Sequence, residues 1–243
     1  LTVGTSSTLS INSGINVTSG TSGTVTINGT ISGAGTLIVQ NSNLGTGGTL
    51  SSLVRLDASG GDITMPNRTY GGNVDVYSNS SSAARIVTMA AGTHTLSAAL
   101  SLNAADSQNV TLAGATNNPT VNLTDNLTYT NGGAGTEIIT SGTGTWTASG
   151  NVDFSNGTYT AASGNTLVMN GASRTLTSNG QTLQNLTLSG TITLANATHT
   201  VAGALDMTSG TITAGSSTVT MTGTANLIGA GNALNNLTIN GSG

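Results

Sequence analysis

Similar side chains return about every 26 residues along this chain, and a sequence period of roughly 20 to 50 residues marks a stacked, quasi-one-dimensional fold. Tyr70, His94, Val121, Trp146, Leu176, His199 and Leu227 make one column, with small polar neighbours such as Thr93 and Thr95 or Thr145 and Thr147 on either side. A second column runs Val74/Val76, Leu100/Leu102, Leu127/Tyr129, Val152/Phe154, Leu186/Leu188, Leu205/Met207 and Leu237/Ile239. Each of those pairs straddles one residue, so both members share one face of a strand. Met65, Met89, Leu112, Ile139, Met169, Leu194 and Met221 give a third column. Three apolar columns per unit predict a three-sided coil. QNLTLSG (Gln184 to Gly190) returns as NNLTING (Asn235 to Gly241), and ATHTVAG (Ala197 to Gly203) echoes AGTHTLS (Ala91 to Ser97). The first echo suggests duplication of two coils at a time.

Alternation with period two inside each run selects strand over helix, as in Thr191-Ile-Thr-Leu194 and Thr218-Val-Thr-Met-Thr222, where β-branched residues dominate. Asn-Gly pairs at Asn28-Gly29, Asn156-Gly157, Asn170-Gly171, Asn179-Gly180 and Asn240-Gly241 supply the bends. The short connections leave no room for antiparallel meanders. We therefore expect an all-β chain, a single parallel β-solenoid over residues 1–243, three-sided, with about 26 residues per coil and roughly nine coils. A right-handed course follows from the hand of parallel crossovers. Residues 41–62 lengthen the spacing between Val39 and Met65 and read as an irregular insertion.

Only 5% of the residues are charged, with four Arg, no Lys and a net charge of −4. Nucleic-acid binding is driven by clustered cations on phosphate, so nucleic acid is not an expected partner. No apolar segment is long enough for a membrane span. The absence of Cys removes disulfides and thiolate metal sites and fits a secreted or cell-surface protein. The chain opens on Leu1 without a leader and stops at Gly243 part-way through a coil, so we expect an excerpt of a longer protein or a fibre subunit, self-associating through its terminal coils.

The candidate chemical groups do not converge. His94 and His199 are four coils apart and fall on inward positions, which predicts core packing with one satisfied nitrogen. Asp75, Asp153 and Asp206 recur one residue beyond an inward Val or Leu and lie at least two coils from one another, whereas paired glycosidase carboxylates stand about 5 to 9.5 Å apart. GGAGTE (Gly132 to Glu137) falls short of a calcium-binding GGxGxD repeat and occurs once. No catalytic, metal or cofactor residue is expected, and the chain reads as a non-enzyme. Three of the four Arg (Arg55, Arg68, Arg85) lie in or soon after the 41–62 segment, with Tyr70 and Tyr77. Two accounts stay open for them: a glycan or protein contact, or Arg paired with Asp57, Asp62 or Asp75.

One surface pattern points to binding. Thr93/Thr95, Thr120/Asn122, Thr145/Thr147, Thr175/Thr177 and Thr198/Thr200 occupy outward positions on what the period makes successive coils. Stacked on one face they form a flat array of hydroxyls and methyls that resembles the TxT arrays of β-solenoid ice-binding proteins. More broadly, GTITAGSSTVTMTG (Gly210 to Gly223) and GNALNNLTING (Gly231 to Gly241) resemble the Thr/Asn/Gly-rich β-solenoid repeats of very large bacterial surface and secreted proteins. Over residues 63–243 the chain is similar to the shafts of filamentous-haemagglutinin-type adhesins and autotransporter passengers, with residues 1–40 fitting more loosely. The resemblance implies a structural shaft that holds out binding modules lying elsewhere. The Asp, Arg and Lys constellations of β-helix enzymes resembling pectate lyases are missing.

Overall fold

A computed structural model describes residues 1–224 and 226–241 and shows a parallel β-solenoid of about eleven turns. Gly243, at which a partial coil is expected from the sequence, lies outside the described residues. The strands are two to five residues long, and every pairing between them is parallel, one turn to the next. The chain visits three faces in order. Face 1 holds Thr2–Val3 and Thr26–Ile27, a bridge from Val25 to Leu44, then Ile63–Met65 to Thr158–Thr160, and finally Thr182–Leu183 to Asn236–Ile239. Face 2 holds Thr8–Ser10, Thr30–Ser32 and Thr49–Leu50, continued by the eight strands from Thr69–Tyr70 to Leu227–Ile228. The two parts of face 2 meet where Gly71 N–H donates to Leu50 O at 2.6 Å. Face 3 is one ten-stranded sheet from Asn16–Thr18 to Thr211–Thr213.

The turn length differs from the expectation. Leu100 pairs with Leu127, and Leu127 with Val152, in steps of 27 and 25 residues. Beyond Trp146 the steps contract: Leu176 to Leu194 is 18 residues and Leu186 to Leu205 is 19. Turns at the N-terminal end are also short, with Leu37 beside Val54. The mean is about 21 residues, which accommodates eleven coils rather than nine. At about 4.8 Å per rung the stack is on the order of 50 Å long.

A period of 26 carried through the contraction places side chains on the wrong face. Trp146 stands between Val121 and Leu167, not beside Leu176, which lies on face 3 next to Val152. Leu186, Leu188, Leu205 and Met169 belong to face 2, Leu194 to face 3, and His199, Leu237 and Ile239 to face 1, while Met221 stays on face 1 with Met65 and Met89. Within the long turns, Tyr70 pairs with Leu96, two residues beyond His94. Residues 41–62 are not an irregular insertion: Leu44, Thr49–Leu50 and Leu53–Asp57 supply one complete turn. Its short strands between glycines hide the alternation.

Inside, strand parity delivers an unbroken apolar column. Val54, Val74, Leu100, Val152 and Leu176 on face 3 are fully buried. At the contraction the interior fills with rings. Phe154 stacks on Tyr159 with centroids 4.4 Å apart, Trp146 meets Tyr159 edge-on at 6.4 Å, and Tyr129 lies 6.1 Å from Phe154. Such rings bury large area per residue.

At the corners the strand ladder stops, and asparagine takes over. Asn151 N–H donates to Asn126 Oδ1, and Thr175 N–H to Asn151 Oδ1, both at 2.9 Å and both to the turn before. The same bond joins Thr136 to Asn109, Thr143 to Asn118 and Ala204 to Asn185. An amide side chain thus stands in for a backbone carbonyl that the bend has turned away.

Tight corner stacking also sets which glycines tolerate a side chain. A Cβ on Gly144 would sit 2.0 Å from Pro119 O of the preceding turn, whereas one on Gly61 meets nothing within 4 Å. Gly144→Ala is expected to cost about 1–3 kcal/mol or more in urea unfolding, while Gly61→Ala leaves stability unchanged or raises it by up to about 1 kcal/mol.

Candidate functional site

The nine threonines of the proposed array do not share a face. Thr93, Thr95, Thr120, Thr145 and Thr147 lie on face 2, Thr175 and Thr177 on face 3, and Thr198 and Thr200 on face 1. Contraction of the turns after Trp146 moves the later pairs round the coil. On face 2 the rank continues instead through Thr166 beside Thr145, and Val168 beside Thr147.

Face 2 carries a longer ladder than the nine residues indicate. Thr8, Thr30 and Thr49 stack in register, as do Thr69, Thr95, Asn122 and Thr147, and Leu50 and Tyr70 lie on the adjoining turns where the two segments meet. Face 1 has a second ladder of Thr182, Thr200, Thr220 and Thr238. On face 3, Thr175, Thr193 and Thr213 align. β-Branched hydroxyl residues suit a pleated outer surface and are the common filling of all three faces.

His94 and His199 are fully buried. His94 Nε2 lies 2.9 Å from Ala90 O, and His199 Nε2 lies 3.0 Å from Ala195 O. A carbonyl only accepts, so Nε2 carries the proton in both rings. His199 Nδ1 then accepts the Ser178 hydroxyl at 2.8 Å, whereas His94 Nδ1 is buried without a partner. Tyr70 makes the equivalent bond, its hydroxyl donating to Pro66 O at 3.0 Å. These polar rings satisfy a carbonyl that the preceding corner turns inward. Burial holds both imidazoles below their ordinary value, opposed in part by the carbonyl bond.

The carboxylates are scattered. Asp75 and Asp153 lie on face 3 but Asp206 is on face 2, so the three do not occupy one position of the coil. Asp206 Oδ1 accepts Thr208 N–H at 2.9 Å, and hydrogen bonds from Thr208 hold its carboxyl below the usual range. Glu137, closing GGAGTE, turns inward and is fully buried. Its Oε1 accepts Ala104 N–H at 2.9 Å, closing a donor at the end of Leu100–Ala104. Its Oε2 has no partner. Among the described residues no group of three His, Asp and Glu side chains is placed to hold a metal ion.

Among the described residues, one of the three arginines named from the sequence pairs with a carboxylate. Arg55 Nε pairs with Asp75 Oδ2 at 2.8 Å. Arg68, 6% exposed, donates to Gly45 O, to Gly47 O at 2.9 Å and to Gly48 O at 3.2 Å, clamping the glycine-rich corner of the preceding turn. The sequence names Arg55 and Tyr77 with Asp57 and Asp75, but not their register nor the polar residues of the next rung. Face 3 aligns Arg55 with Asp75 and Ser101, and Asp57 with Tyr77 and Asn103. The signal available was the parity shared by Arg55/Asp57 and Asp75/Tyr77 in the two strands.

Comparison with protein-family models, curated proteins and solved structures found no match.

The histidines set a pH dependence. Unfolding frees imidazoles that bind protons more readily than the folded ones, so their contribution to stability is complete above about pH 6.5 and is lost as pH falls toward the depressed folded values. The melting temperature is expected to hold above that point and decline below it. His94→Gln with His199→Gln should flatten the decline between about pH 6.5 and 5.

Proposed function

We propose that this chain is a non-enzymatic shaft or fibre segment of a bacterial cell-surface or extracellular, adhesin-like protein, associating end to end through its outer coils. The single supporting observation is the uninterrupted stack of turns with apolar side chains left open at both extremes. Leu1 and Ile15 are 40% and 54% exposed at one end, Leu237 and Ile239 42% and 68% at the other. Among the described residues Asn236–Ile239 pairs with Thr218–Met221 alone, and a strand edge of this kind can take a further rung. A uniform Thr, Ser and Asn surface with few charges suits a spacer whose length is its task. Negative-stain microscopy is expected to show filaments that lengthen with protein concentration. Leu237→Lys with Ile239→Lys should shorten them to single rods of unchanged circular dichroism, and concentration-independent single rods from the unmodified chain would remove the assembly part of the proposal.

A second reading is favoured by the face 2 ladder: a module that binds ice or another flat lattice. Thr8, Thr30, Thr49, Thr69 and Thr95 repeat at the rung spacing of about 4.8 Å, and Thr147 follows two rungs on, after Asn122. On this reading the chain shows thermal hysteresis that Thr95→Lys and Thr147→Lys abolish. Freezing behaviour equal to that of an albumin solution of the same concentration eliminates it.

A further inference from the structure

The chain's aromatic rings are internal with one departure. Tyr70, Tyr129, Trp146, Phe154 and Tyr159 are buried in the coil, whereas Tyr77 points outward from face 3 and is half-buried. Around it lies an unusual density of charge for a chain in which 5% of residues carry any. Arg55 and Asp57 flank it on the preceding rung, Asp75 shares its strand, and Ser101 and Asn103 follow on the next rung.

The contacts within this group settle which atoms remain to be used. Asp75 takes Arg55 Nε on Oδ2 and the Ser101 hydroxyl on Oδ1, at 2.8 and 3.2 Å. Asp57 accepts Gln40 Nε2 at 2.9 Å on Oδ2 and Ser59 N–H at 3.0 Å on Oδ1. The Arg55 guanidinium carbon stands 4.3 Å from the Tyr77 ring centroid. Carboxylates and ring therefore fix Arg55 in place, and the ion pair engages Nε alone, with 34% of the side chain still exposed. The two Nη groups, the Tyr77 hydroxyl, Gln40 Oε1 and Asn103 Nδ2 are left as donors and acceptors around a ring, whereas Asn103 Oδ1 is buried. Groups held in this way lose little freedom on binding.

We propose that this strip is a binding site for a neutral carbohydrate, an extended oligosaccharide lying along the solenoid axis. Closely spaced neutral donors and acceptors beside a ring fit vicinal hydroxyls next to an apolar sugar face. Arg55 is balanced by Asp75, and Asp57 adds a negative charge, so the strip disfavours anionic chains. From Gln40 to Asn103 it spans four rungs, which suits an elongated ligand. Beyond Gln40 it opens into a groove of about 290 Å³ that Asn43, Gly60 and Asp62 help to line.

The site rests on the extracellular, adhesin-like part of the shaft proposal and not on assembly, so the sugar and filament experiments fail separately. Calorimetric titration of the whole chain with cellohexaose, laminarihexaose and chitohexaose, and with hexagalacturonate as the anionic probe, tests it. Saturable binding to at least one neutral hexamer is expected, weakened about tenfold or more by Tyr77→Ala and by Arg55→Met. Should either variant unfold, saturation transfer from the Tyr77 ring of the unmodified chain to the bound sugar decides the matter, and its absence overturns the proposal. No saturable binding to any neutral hexamer overturns it, as does tighter binding of hexagalacturonate. Binding that both substitutions leave unchanged also refutes this site.

Discussion

Most backbone N–H and C=O groups in this molecule must find their partner in the turn above or below, because the described residues form no helix and no antiparallel pairing and local bonds are confined to tight turns such as Ser7 N–H to Gly4 O. Along the strands the parallel ladder meets that requirement without help from side chains. At the corners the peptide planes rotate and the ladder fails. The chain responds with residues whose side chains imitate the backbone: asparagines that accept an N–H from the next turn, Glu137 closing Ala104, and polar rings of His94, Tyr70 and His199 that donate to inward carbonyls. An unpaired buried backbone group costs about as much as a lost hydrogen bond, with a further desolvation penalty of about 1–3 kcal/mol. Corner chemistry therefore restricts the sequence almost as strongly as the core does.

The same constraint accounts for how little charge the surface needs. A protein with a conventional mixed surface uses charge to remain soluble and to avoid unwanted pairing. Here the edge groups of each interior rung are consumed by its neighbours, and the outward positions need only tolerate close stacking. Threonine does so with a β-branched body and a hydroxyl, rung after rung. Charged residues consequently stand out where they occur. Arg68 is spent on a glycine-rich corner, while Arg55, Asp57 and Asp75 are gathered on one strip of face 3.

Much of the fold could be read from the sequence because parity within a strand is a local property. Period-two runs, repeated apolar columns and abundant turn residues lead to parallel stacking without knowledge of any distant contact, and His94 and His199 were assigned to the core on parity alone. The length of a turn is different, since it depends on how many residues each corner uses, and corners of two or of seven residues look alike in a Gly-, Ser- and Asn-rich chain. Carrying a period of 26 past Trp146 therefore moved residues such as Leu176, Leu194 and His199 to the wrong face, while Met221 and Leu227 fall back on the faces of their columns. That displacement scattered the threonine array over three faces. It also made Asp153 and Asp206 appear equivalent when one lies on face 3 and the other on face 2. The residues around Tyr77 were visible in the sequence, but their register across rungs was not, because a turn with short strands and several glycines does not alternate long enough to be recognised.

The two histidine segments show what kind of repeat this chain carries. AGTHTLS and ATHTVAG are close in sequence, and each ring makes the same bond to the carbonyl four residues earlier. His94 nevertheless lies on face 2 and His199 on face 1. QNLTLSG and NNLTING likewise fall on different faces, through Leu186 and Leu237. The interchangeable element is thus a corner with its following strand, a third of a turn, and not a coil or a pair of coils. Three such elements close a turn whatever the length of each, provided the inward side chains fill the interior at that level. The rings of Tyr129, Trp146, Phe154 and Tyr159 occupy the level where long turns give way to short ones. Large side chains at that point fill the mismatch between two cross-sections, and this allows turns of unequal length to share one continuous core.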